Sequence, residues 1–219
     1  MRLDAQREWR TPEAKLVWVL RAALAALTLF ALSAQPKYTT RPLLVLSAVA
    51  GLVASALFVL LPTRRPRTLK GAEAVALVAF TLHVCGHAFG LYEHLGWYDK
   101  ALHVVESGAL ALVLFALSQA TRWVWHWTDV RPFEVAVYVF AIVVTAGVFW
   151  EIAEFGMDTF FHTQEQNGNT DTMLDLLADT TGALLGSLVA AWMTHVARAE
   201  GPQAVSEAPR RRATRSTRN

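Results

Sequence analysis

The stretch WEIAEFGMD carries Glu151, Glu154 and Asp158 at spacings of three and four inside an otherwise apolar run. At about 100° per residue, these carboxylates fall within roughly 60° of one helix surface. Asp171, Asp175 and Asp179 recur every fourth residue along DTMLDLLAD, a drift of only about 40° per step. His83 and His87 share a face of HVCGH, as do Asp99, His103 and either Glu106 or Ser107 along DKALHVVES. Neutral imidazoles beside carboxylates are a ligand set for zinc, manganese or iron. Ionisable residues that step into a membrane can also relay protons. A divalent-metal site or a proton relay is the chemistry these spacings offer.

The elements that must position these groups are membrane helices. The chain has 219 residues, of which 54% are hydrophobic and 17% charged, and its mean hydropathy is positive. That balance is too apolar for a soluble domain of this length. The apolar residues gather into blocks of about 20, the length that crosses a bilayer core. The expected fold is all-α and polytopic, with six transmembrane helices at 16–34, 43–61, 72–92, 100–119, 133–159 and 171–195. Helices three to six would form a polar-cored bundle. Residues 1–71 then hold a cytoplasmic segment and the first two helices, 72–199 the core with its His/Asp/Glu cluster, and 200–219 a disordered basic cytoplasmic tail. Cys85 is the single cysteine, which excludes a disulfide framework and a zinc ribbon.

Sixteen Lys and Arg fall on one side of these spans, against Lys37, Arg41 and Lys100 on the other. Both termini are therefore expected in the cytoplasm. The basic residues outside the spans point to membrane lipids as partners rather than nucleic acid. Arg21, inside the first span, is expected to snorkel to the headgroups. ALSAQ after that span offers a cleavage site as an alternative reading of it. RWVWHW (122–127) has the alternating Trp of an interfacial belt.

Ten of the 18 acids and five of the seven histidines lie toward the outer ends of helices three to six, with Lys100 the fixed positive charge nearby. At about 1.5 Å per residue they sort into layers. Asp99, Asp158 and Asp171 are outermost. His87, His103, Glu154 and Asp175 lie a turn deeper, as candidate metal ligands. His83, Glu151 and Asp179 lie a turn deeper again, with Glu151 or Asp179 as general base. His83, Asp99, Lys100, Asp158 and Asp171 would meet substrate or line the rim. Gly147, Gly182 and Gly186 continue the stripes and would let the helices approach closely. Plainer readings stand beside these: Asp171 as a helix cap, Asp99 and Asp158 as solvated rim residues, and an intramembrane His as hydrogen-bonded packing.

WYDKALH (97–103), followed by WEIAEF, QEQNGNTDTMLDLLADTTGALLG and a final helix, resembles the YjdF-type inner-membrane proteins. More distantly it is similar to the VanZ-like family, with its Asp-Lys-x-x-His opening and late Glu, Gln, Asp and Gly-Ala-x-x-Gly run. The likeness spans about residues 75–190. It implies a polar signature on Asp99, Lys100, His103, Glu151, Glu154, Asp158, Gln166, Asp171, Asp175 and Asp179. VanZ-like chains tend to carry Asn at the position of Asp179. That family is associated with glycopeptide-antibiotic resistance and the cell envelope, so the resemblance implies a location and supplies no reaction.

Three functions remain open on these grounds. One is a metal-assisted enzyme acting on an envelope lipid or a lipid-linked small molecule. Another is a proton- or cation-coupled transporter, and the third a scaffold whose polar core fixes helix register. AVALVAF and ALVLFALSQ, in the inner halves of helices three and four, offer no polar path, which ranks a site above a channel.

Overall fold

The computed structural model describes residues 12–33, 48–56, 67–121, 131–163 and 165–216. Every regular element among them is helical: α1 (Pro12–Ser33), α2 (48–56), α3 (Arg67–Phe89), α4 (Tyr98–Thr121), α5 (Pro132–Phe161) and α6 (Asn169–Ser216). A helical turn, Leu91–His94, lies between α3 and α4. Among the described residues, four stretches are long and apolar enough to cross a membrane: Leu69–Phe89, Tyr98–Gln119, Pro132–Phe161 and Asn169–Arg198. They correspond to helices three to six of the sequence reading. α1 covers the first expected span, and α2 the middle of the second. The rest of that second span, the Trp belt at 122–127, residues 34–35 of ALSAQ and many of the basic loop residues lie outside the described residues.

Local chemistry explains the helix ends. α3 stops at Phe89 because Gly90 takes the left-handed conformation, at φ 66°, that a Cβ would strain. The turn that follows brings Tyr92 back over Gly86, which has no side chain to obstruct it. α5 begins with Pro132 in its first turn, where a missing N–H costs nothing, and the Glu134 carboxylate accepts from the Arg131 backbone N–H at 2.9 Å. It ends at His162, whose φ is 54°. α6 continues past its span to Ser216, so residues 200–216 are helical where the sequence suggests disorder. Ala, Glu and Arg favour helix, and extending an existing helix avoids the nucleation penalty.

α6 packs along both α4 and α5, while α3 packs on α4 and α1. The α4–α6 approach is close. A Cβ at Gly182 would meet the Val104 carbonyl, and one at Gly186 would lie 2.6 Å from Ala111 Cβ. Beneath the polar residues, Ala111, Phe115, Val135, Val139, Val143, Ala183 and Ala190 close the inner half of this trio. Phe149, Phe155, Leu185 and Trp192 are exposed on the outer faces, as lipid contact requires.

One expectation is corrected here. Arg21 does not reach for headgroups; its guanidinium pairs with Glu73 of α3. Glu73 is 1% exposed, and a buried carboxylate demands a partner. Trp18 adds a ring 5.0 Å from the guanidinium carbon.

Candidate functional site

α4 and α6 meet through alternating charge. Lys100 Nζ is bonded to Asp99 Oδ2 at 2.7 Å, to Asp171, and to Asp175 Oδ2 at 3.0 Å. One turn deeper, His103 Nε2 lies 3.7 Å from both Asp99 Oδ1 and Asp175 Oδ1. The other ring nitrogen, Nδ1, lies 3.1 Å from Asp179 Oδ1. Ser107 Oγ, a further turn along α4, donates to the same Asp179 oxygen at 2.6 Å. The every-fourth-residue stripes on both helices therefore interlock as layers. His103, Asp175 and Asp179 are all buried.

α5 closes the third wall with Glu151, 5% exposed. Neither carboxylate oxygen of Glu151 has a hydrogen-bond partner among the described residues, and the same holds for Asp179 Oδ2. Asp179 fits only because Gly147 sits opposite, where a Cβ would lie 2.6 Å from Oδ2. Two sets of side chains bring ligand-type atoms within 4.8 Å of one another: Asp99, His103 and Asp175, and below them His103, Glu151 and Asp179. Lys100 gives the upper set a cation. The lower set has no cation of its own.

Glu151 also lines an open groove of about 460 Å³ between α5 and α6. Val148, Ile152, Phe155 and Leu176 make its walls apolar, and Gln166 joins Glu151 at its polar side. Gln166 is positioned by its neighbours: Nε2 donates to the Glu151 carbonyl at 3.2 Å, and its backbone N–H donates to Asp158 Oδ2 at 2.9 Å.

Asp158 faces the loop rather than the chamber. Its Oδ1 also accepts from Thr163 Oγ1 at 2.6 Å and from the Glu165 N–H at 2.8 Å. Asp171 combines both sequence readings, bonding Lys100 and accepting from the Asn167 backbone N–H at 3.1 Å. Glu165, in this loop, has its carboxyl raised above the usual range by burial and then by Asp158.

The remaining candidates sit elsewhere. Glu154 accepts from Trp150 Nε1 at 2.7 Å along its own helix. His83 and His87 gather with Tyr92 and Glu106 between α3 and α4. His83 Nδ1 is 3.0 Å from Glu106 Oε1 and 3.3 Å from the Tyr92 hydroxyl. The His87 ring packs against His83 and Tyr92, with centroids 5.0 and 4.8 Å away. Burial, then the Glu106 and Asp99 carboxylates, push the Tyr92 phenol up, which keeps it neutral. The choice between Glu106 and Ser107 is thus no choice: Glu106 serves α3, and Ser107 serves α6. Of the expected ligands His87, His103, Glu154 and Asp175, the structure brings His103 and Asp175 together. Glu73 and Tyr92 were absent from the sequence reading. An acid at the start of a span was the available signal for Glu73.

Membrane-length helices around a buried acid–histidine core define a polytopic integral membrane protein. The chain belongs to a family of predicted membrane proteins, DUF2238, whose match covers residues 16–196. It is similar to an uncharacterized protein of Thermotoga maritima, 36% identical over 104 residues, covering 47% of this chain and 52% of the relative. The chain thus spans about half the length of that relative. No solved structure matches it.

Proposed function

We propose that the α4–α5–α6 chamber binds a divalent cation (zinc, manganese or iron) and acts on an envelope lipid or lipid-linked substrate lying in the α5–α6 groove. The observation that carries this reading is Glu151, buried with both oxygens unpartnered among the described residues. Five carboxylates line the chamber, from Asp99, Glu151, Asp171, Asp175 and Asp179, against the ammonium of Lys100. An uncompensated ion at this depth costs several kcal/mol. A divalent ion held by His103, Glu151 and Asp179 reduces that deficit. The geometry favours this trio over a set using His87 and Glu154, which are engaged elsewhere.

Each chain residue then has a task. Ser107 holds Asp179, Lys100 pairs with the outer carboxylates, and Gln166 forms the polar lip of an apolar groove that suits an acyl or prenyl chain. A bound ion would supply Lewis acidity or an activated water beside that lip. The Lys and Arg asymmetry supports an outward-facing chamber with both termini cytoplasmic in an inner membrane. The likeness to YjdF-type proteins, and more distantly to VanZ-like ones, supports an envelope role. The closed apolar layer beneath Asp179 favours a site over a transport path.

The test is turnover in nanodiscs made from envelope lipid extract, with metal-loaded protein and product analysis by mass spectrometry. Headgroup release or modification that vanishes in Glu151→Gln protein is expected. An unchanged lipid profile with every candidate metal would overturn the enzymatic reading.

A further inference from the structure

We propose a second divalent-metal site, held by His83 and His87 of α3 with Glu106 of α4 as the orienting carboxylate. It shares no ligand with the chamber and does not rest on that reading. His83 and His87 are four residues apart on one helix face, the spacing that lets two imidazoles from a single helix grip one ion. Their ring centroids are 5.0 Å apart.

The hydrogen bonding prepares His83 as a ligand. Glu106 Oε1 lies 3.0 Å from Nδ1, beside the Tyr92 hydroxyl at 3.3 Å, and the tautomer that donates to the carboxylate carries its proton on Nδ1. Nε2 then carries the lone pair. A carboxylate behind a histidine in this way is the recurring support of metal-bound imidazoles, fixing tautomer and ring orientation. His87 has neither ring nitrogen hydrogen-bonded among the described residues, although it is partly buried. That leaves its ring nitrogens free to take an ion. Tyr92 covers the pair, its ring centroid 4.8 Å from that of His87. Two imidazole nitrogens suit zinc, copper or nickel.

Zinc binding to chelator-stripped, full-length protein in detergent tests the site. Two ions per chain are expected in the wild type, one in the Glu151→Gln/Asp179→Asn variant and one in the His83→Ala/His87→Ala variant. None is expected in the combination. Glu106→Gln should weaken the α3 site about 10–100-fold. A zinc count that is equal in wild-type and His83→Ala/His87→Ala protein overturns the proposal. A count that falls there but is unchanged in the chamber variant refutes the chamber and leaves this site standing. If the double-histidine variant does not fold, copper(II) bound to the chamber variant answers the same question by electron paramagnetic resonance. Couplings from two imidazole nitrogens support the site, and their absence refutes it.

Discussion

His103 Nδ1 and Asp179 Oδ1 lie 3.1 Å apart across the α4–α6 interface, and Ser107 donates to the same oxygen at 2.6 Å. With one oxygen so engaged, the other lies against Gly147 of α5. A single carboxylate thus ties three helices together, and the proposed metal set is built around it.

Gly147→Ala therefore tests the fit directly. The added methyl would lie 2.6 Å from Asp179 Oδ2, and overpacking of this kind costs about 1–3 kcal/mol. Thermal unfolding in detergent should show the loss. Gly156→Ala, on the same helix with open space around it, should leave the midpoint unchanged or slightly higher.

The Arg21–Glu73 pair predicts a non-additive response. Arg21→Met takes the guanidinium from a carboxylate that is 1% exposed and should lower stability. Arg21→Met/Glu73→Leu should recover most of that, because neither buried charge is then present. A double-mutant cycle of unfolding free energies reads the difference.

Asp158→Ala should release the loop that carries Gln166. Three hydrogen bonds to Asp158 disappear together, from Thr163, Glu165 and Gln166. Amide exchange at residues 165 and 166 should accelerate while the α4–α6 layers keep their protection, as hydrogen exchange with mass spectrometry would report.

Glu165 gives a pH signature. Its folded-state carboxyl is raised, so its contribution to stability is present below the ordinary Glu range and is lost as pH rises through the raised value. Glu165→Gln, always neutral, should unfold at a higher temperature than wild type at pH 7 and at nearly the same temperature at pH 4.

Much of this was legible in the residues themselves. The Asp171/Asp175/Asp179 stripe and the Asp99/His103/Ser107 stripe read as facing layers because a fourfold spacing holds one helix face. Gly182 and Gly186 marked where the backbones meet. Spacing defines a face, however, and not the neighbour it meets. His83 and His87 therefore looked like a fourth wall of the chamber, whereas α3 packs on α4 beside Glu106. Arg21 and Glu73 lie 52 positions apart, and no local pattern joins them. Glu154 shares the Glu151 stripe, yet a Trp one turn earlier captures it. Asp158 looked like a rim residue until the loop folded back onto it.

Elemental analysis of purified protein tests the central claim most directly, comparing wild type with folded Glu151→Gln and Asp179→Asn variants. A metal-binding chamber predicts that each variant carries one divalent ion fewer per chain than the wild type. A wild type that holds no ion after exposure to zinc, manganese and iron, or variants that hold as much as it does, would contradict it.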